Sequence, residues 1–148
     1  MPASIADPDG LVCPFASHIR RAYPRDDLGN RAEVETHRII RRGIPFGPPY
    51  PDEGERGLLF IGYVTSIERQ FEFVIRNWFN NPDVRMTGAG YEPLIGQSEG
   101  INRQILLKFP LPSGRVRSVQ VQLPKFTSVT GGGYFFAPSI AAIGQLAS

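Results

Sequence analysis

The stretch Gly57-Leu58-Leu59-Phe60-Ile61-Gly62-Tyr63-Val64-Thr65-Ser66-Ile67-Glu68-Arg69-Gln70-Phe71-Glu72-Phe73-Val74-Ile75-Arg76-Asn77-Trp78 changes its periodicity part-way, and that change decides the fold class. Up to Val64 it is a short apolar run bounded by loop residues, a length and composition that suit a buried strand. From there Thr65-x-x-Glu68 has the form of a capping box. Ile67, Phe71, Val74 and Trp78 then follow at helical spacing until Asn80-Asn81-Pro82 ends the run. Strand and helix in direct succession require an architecture with both kinds of layer.

Toward the C-terminus, Gln104 to Phe109 and Arg115 to Leu123 flank Leu111-Pro112-Ser113-Gly114. Val119-Gln120-Val121-Gln122-Leu123 alternates apolar with polar, which predicts a hairpin with one wet face. A last strand is expected around Tyr134-Phe135-Phe136, and a short tail helix from Ser139 to Leu146. Toward the N-terminus, Phe15, His18, Ile19 and Ala22 recur at i, i+3, i+4 and i+7, so a helix is read from Pro14 to just before Pro24. That reading turns Ser17, Arg20 and Arg21 outward and His18 inward. Residues 1–12 lack periodicity and read as an arm or linker remnant, leaving 13–148 as one domain. The expected class is α+β, a ferredoxin-like antiparallel sheet with helices packed on it.

A chain of 148 residues with 41% hydrophobic content buries one core and no more. Its net charge of +2 comes from 16 basic and 14 acidic side chains dispersed along the sequence, a balance that offers no field for nucleic acid or anionic lipid. No apolar run reaches the roughly 20 residues of a membrane span, and Met1-Pro2-Ala3-Ser4 does not begin a secretion signal, so a cytoplasmic protein is expected. With one cysteine, Cys13, and two histidines, a Cys/His zinc site is not supported. Glycine (16) and proline (14) gather at Gly43–Gly57, Pro82–Gly100 and Leu111–Gly114, which marks these as loops. Gly88-x-Gly90 and Gly131-Gly132-Gly133 lack the strand-to-helix context of a phosphate loop and read as turns.

Two positions carry chemistry worth weighing. His18 on an apolar helix face is either a satisfied core histidine or a metal ligand, since a neutral imidazole binds iron through one ring nitrogen while the other donates to a carboxylate. Arg41 and Arg42 are either solvated surface or, set beside Ile39-Ile40 and a glycine-proline loop, part of a site where a permanent guanidinium stabilises anionic charge. His37 serves the same site or simply caps its segment. Trp78 and the tyrosines read as core or rim residues.

The wording of several segments goes further. Cys13-Pro14-Phe15-Ala16-Ser17-His18-Ile19-Arg20-Arg21-Ala22-Tyr23-Pro24-Arg25 resembles the proximal haem helix of dye-decolourising (Dyp-type) peroxidases, with His18 at the iron ligand. His37 to Gly47 resembles that family's distal segment, with Arg41 at the catalytic arginine. Gly57-Leu58-Leu59-Phe60, Glu68 to Phe73 and Trp78 resemble the following strand and helix, with Leu58 and Phe60 lining the distal haem face. Glu92-Pro93-Leu94-Ile95-Gly96 resembles the acidic segment that orients the proximal histidine, and Gly131 to Pro138 the closing strand.

The resemblance covers the family's carboxy-terminal, haem-carrying half. It implies a b-type haem (heme b) as cofactor, hydrogen peroxide as oxidant, and an organic reductant such as a dye or phenol oxidised in single-electron steps. Trp78 or a tyrosine would pass electrons to donors too bulky to enter. The family's Gly-x-x-Asp-Gly motif lies far upstream of the histidine in an amino-terminal half. Here Ala6-Asp7-Pro8-Asp9-Gly10 approximates it with alanine first and just before the helix, which leaves Arg41 as the sole distal polar catalyst. Loss of the other half's cover implies a homodimer or a separately encoded amino-terminal half. The competing expectation is a module that binds haem without turnover, or a dimeric α+β interaction module.

Overall fold

The computed structural model describes residues 7–25, 27–97 and 103–147. The order of elements is α1 (His18–Ala22), α2 (Arg31–Thr36), β1 (Ile40–Phe46), β2 (Gly57–Tyr63), α3 (Ile67–Glu72), α4 (Val74–Phe79), β3 (Gln104–Pro110), β4 (Val116–Gln122) and α5 (Ile140–Leu146). This is the expected α+β, ferredoxin-like combination of antiparallel strands and helices. Among the described residues the strands pair as two antiparallel hairpins, β1 with β2 and β3 with β4. No helix among them is long and apolar enough to cross a membrane.

The decisive stretch forms its strand and its helix, with two differences. Thr65 is not the cap; Ser66 is, its hydroxyl accepting from the Arg69 N–H, while the Gln70 side-chain oxygen reaches back to the Thr65 and Ser66 N–H groups. The helix is also wound wide. Phe73 N–H bonds to Glu68 O and Asn80 N–H to Ile75 O, both i→i+5. This winding places Phe73, Val74, Trp78 and Phe79 on one inward face, where a 3.6-residue period would have left Phe79 turned away. Val74, Trp78 and Phe79 join Val34 of α2 as the buried core, with Ala22, Tyr23, Ile39 and Phe73 packed against it.

β2 forms but is not buried, contrary to the reading of its apolar run. Leu58, Leu59 and Phe60 are 62%, 56% and 44% exposed, and every residue of β1 is exposed too. A two-stranded hairpin has two faces, and cover here is thin: the Phe60 ring meets the Phe71 ring of α3 at 6.2 Å. The β3–β4 hairpin and its Leu111–Gly114 turn are as expected, the Leu111 N–H bonding to Arg115 O at 2.8 Å. Tyr134-Phe135-Phe136 is not a strand, because its backbone finds no ladder partner among the described residues; Tyr134 is tied instead by its hydroxyl to Glu72 at 3.1 Å. The tail helix α5 starts as read, with Ser139 accepting from the Ala142 N–H.

Candidate functional site

The His18 region departs most from its amphipathic reading. α1 begins at His18, not Pro14, and runs five residues before Tyr23, held extended by Pro24, ends it. A helix of little more than one turn has no dependable face. Phe15 is buried as read, and Ala16 beside it is buried too, but Ile19 is 66% exposed and Arg21, read as outward, is 1% exposed. The Arg21 guanidinium fills its buried position by donating to main-chain carbonyls: Nε to Phe15, Nη1 to Trp78 and Asn81, Nη2 to Gly90.

Residues 7–12 are not a loose arm. The Asp7 carboxylate accepts from the N–H groups of Leu11, Val12 and Cys13, and it pairs with Arg20 at 3.0 Å. Arg20 also grips Asp27, with Nε 2.5 Å from Oδ2. Asp7 is thus the cap of the turn that leads into α1, and its carboxylate is committed there.

His18 meets Glu92 across the fold, Nδ1 lying 3.1 Å from Oε1. The Glu92 side chain is fully buried, and the His18 side chain is 32% exposed. Three backbone N–H groups complete the carboxylate's shell: Leu94 at 3.0 Å on Oε1, then Ile95 at 2.6 Å and Gly96 at 3.0 Å on Oε2. Burial by itself would push the Glu92 carboxyl up, but the bond from His18 and those from Ile95 and Leu94 hold it below its ordinary value. An ionised carboxylate accepts only, so the proton of the shared bond sits on His18 Nδ1. In the neutral imidazole the Nε2 lone pair is then left for a ligand. The Phe79 ring stands 5.5 Å from the imidazole, giving it an apolar flank.

The Glu92 loop is shaped from below by Gly90. That residue has φ +100° and bridges to Ile105 of β3, and a Cβ there would fall 2.2 Å from Gln104 O. Arg103 clamps the loop's other end, donating to Pro93 O at 3.2 Å and Gly96 O at 2.6 Å.

Arg41, Leu58 and Phe60 come together on the first hairpin. In the β1–β2 register Arg41 faces Gly62, Gly43 faces Phe60 and Pro45 faces Leu58. Directly opposed residues share a side of the sheet, so all three side chains rise from one face. Gly43 leaves room for Leu58, whose Cδ1 lies 3.0 Å from where a Cβ would be. Arg41 is exposed, and among the described residues it forms no ion pair.

His37, read as serving the same site or capping its segment, does cap the C-terminal end of α2, its N–H bonding to Glu35 O and Val34 O, while its ring is buried in the core. It stacks on Phe73 with ring centroids 3.7 Å apart, meets the edge of Trp78 at 5.4 Å, and is bonded through Nδ1 to Arg69 O at 2.5 Å. Arg69 also borders two open cavities of about 420 and 280 Å³, and neither is lined by His18, Arg41, Leu58 or Phe60.

Comparison with known proteins settles the family. The model of the C-terminal part of Dyp-type peroxidases matches residues 6–87. The chain belongs to the Dyp-type peroxidase family. Among curated Dyp-type relatives, a dye-decolorizing peroxidase of Mycetinis scorodonius is 34% identical over 88% of this chain and 29% of its own length. One from Auricularia auricula-judae is 35% identical over 92% of this chain and 29% of its own length. A crystal structure of a Dyp-type peroxidase from Auricularia auricula-judae superposes with a TM-score of 0.75 at 34% identity, covering 92% of this chain and 34% of that one. The Anabaena Dyp-type peroxidase gives 0.68 at 30% identity, covering 81% and 26%. The chain therefore spans about a third or less of the length of these Dyp-type proteins.

The Dyp-type family implies a haem, and the donor set here fits one on chemical grounds. His18 has a buried anionic partner on Nδ1 and, among the described residues, no hydrogen-bond partner on Nε2, the arrangement a haem-binding imidazole requires.

Proposed function

We propose that this chain is the haem-carrying portion of a peroxidase that uses hydrogen peroxide to oxidise organic donors such as dyes and phenols. The observation that carries the reading is the His18–Glu92 pair: a buried carboxylate with three backbone N–H partners, spent on orienting one partly exposed imidazole. Such an investment has little purpose for stability alone, since a surface histidine needs no buried counter-charge.

When bound, a b-type haem supplies the iron at which peroxide is reduced and donors are oxidised one electron at a time. His18 would hold that iron through Nε2. Glu92 keeps the proton on Nδ1, fixes the plane of the ring and makes the imidazole a stronger donor. Arg41 would donate hydrogen bonds to an oxygen that gains negative charge as the peroxide bond breaks. Leu58 and Phe60, on the same face as Arg41, would exclude water there. Asp7 takes no part in this reading, because it is held by Leu11, Val12, Cys13 and Arg20, and Arg41 is the sole distal polar group in it.

Titration of the purified chain with haem, followed by rapid mixing with peroxide, tests both assignments. Wild type is expected to give a histidine-ligated spectrum and His18→Ala to lose it. Arg41→Ala is expected to keep the spectrum but react with peroxide at least about 100-fold more slowly. An unchanged His18→Ala spectrum rejects the ligand, and an unchanged peroxide rate in Arg41→Ala rejects the distal role.

A second reading is favoured by the bare hairpin, whose Leu58, Leu59 and Phe60 lie open. In it the working protein is an assembly, the β1–β2 surface being covered by a second copy or by a separately encoded amino-terminal half. Haem binding without peroxide turnover by the lone chain, restored on adding the covering partner, would support it.

A further inference from the structure

We propose that Arg21 is the positioning residue of the proximal pair, holding His18 and Glu92 in register by clamping the backbone on both sides of their hydrogen bond. The inference rests on the haem-ligand reading of His18 and adds a residue to it.

The two ends of the His18–Glu92 bond are 74 positions apart and on different elements. Something must fix their separation to a few tenths of an ångström if the bond is to orient the ring. Arg21 lies on α1 three residues after His18, the spacing at which helical residues are neighbours. Its Nη2 reaches Gly90 O at 2.5 Å, two residues before Glu92. Its Nη1 takes Trp78 O at 2.9 Å and Asn81 O at 2.8 Å, carbonyls at and just beyond the C-terminal end of α4. Its Nε takes Phe15 O at 2.9 Å, in the turn before α1. One rigid, planar fork thus joins the histidine's helix, the core helix and the glutamate's loop.

Arg103 contacts the same loop through Pro93 O and Gly96 O, on the glutamate side. Arg21 reaches both sides. Among the described residues no carboxylate is hydrogen-bonded to it, and its donors serve backbone placement. Burial pushes its guanidinium down to about 10, with Glu92 and Asp83 pulling the other way, so it remains a cation at neutral pH. Lysine could supply the charge at this position but not the fork, which makes Arg21→Lys the informative change and Arg21→Met its uncharged companion.

The test uses the full chain, with and without haem. In the haem-free protein, nitrogen-15 NMR follows solvent exchange of the His18 Nδ1 proton. Arg21→Lys is expected to speed that exchange about 10-fold, and Arg21→Met more, while the far-ultraviolet circular dichroism is retained. In the reduced haem-loaded protein, the iron–histidine stretching band should move to lower frequency in the same order, toward the position given by Glu92→Gln. A drop in melting temperature with His18 exchange and the stretching band at wild-type values marks an ordinary structural arginine and overturns the proposal. If Arg21→Met does not fold, Arg21→Lys decides by the same two readouts. Should wild type take up no haem, the ligand reading fails, and the haem-free exchange measurement still decides the role of Arg21.

Discussion

Asp7 shows how much one side chain settles near the site. Read along the chain it is one acid in a proline-rich lead segment, yet its carboxylate gathers three backbone N–H groups and Arg20, and so shapes the approach to His18. Burial works to raise its pKa, but the bonds from Cys13, Leu11 and Val12 and the charge of Arg20 hold it below the ordinary 3.8. A carboxyl depressed in the folded state adds stability above its unfolded pKa and loses it as pH falls through the folded value. Asp7→Asn is therefore expected to cost about 1–3 kcal/mol at neutral pH. The difference from wild type should shrink once pH drops below about 4 and continue to do so at lower pH. Urea unfolding of both proteins across that range measures it; a difference independent of pH would mean that the carboxylate is not the source.

At the scale of elements, the wide helix and the bare hairpin make opposite demands on substitution. Trp78 of α4 is 4% exposed and central to the core, so Trp78→Ala is expected to cost about 3–5 kcal/mol. Leu59 of β2 is already 56% exposed, and Leu59→Gln should shift the isolated chain by no more than about 0.5 kcal/mol. The Gly90 bend belongs to neither class. Alanine there meets both a left-handed φ of +100° and the Gln104 carbonyl at 2.2 Å, and should destabilise by more than about 2 kcal/mol. Thermal melts of the three variants rank these costs; Leu59→Gln proving the worst of them would mean the hairpin is covered in solution.

For the molecule as a whole, surface area carries the argument. A compact monomer of 16.4 kDa should expose about 7,500 Å², whereas this chain exposes 11174 Å². The excess is of the size buried in obligate interfaces, and much of it is apolar, including Leu58, Leu59, Phe60, Phe135 and Phe136. The isolated chain is therefore expected to bind hydrophobic dyes and to sediment with a mass above 16.4 kDa that rises with concentration. A dye-silent monomer at every concentration would show that the chain closes on itself in solution.

Local patterns were legible because they are properties of neighbouring residues. The strand and helix within Gly57–Trp78, the 104–123 hairpin, the tail helix after Ser139 and the end of α1 before Pro24 follow from periodicity, turn residues and proline sterics. α2 was also within reach, since Asn30 and Glu33 make a cap at its start, Asn30 accepting from the Glu33 N–H. Wording alone pointed to His18, Arg41, Leu58, Phe60 and Glu92 as one site, and the fold brings His18 to Glu92 and places Arg41 with Leu58 and Phe60. Tertiary structure alone decided that Arg21 is buried, that His37 belongs to the core, that Asp7 is a cap and that β2 lies open. Arg21 and His37 find partners far along the chain, Asp7 caps a turn in a segment that has no period, and β2 lacks a covering layer; a one-dimensional period carries no information about any of these.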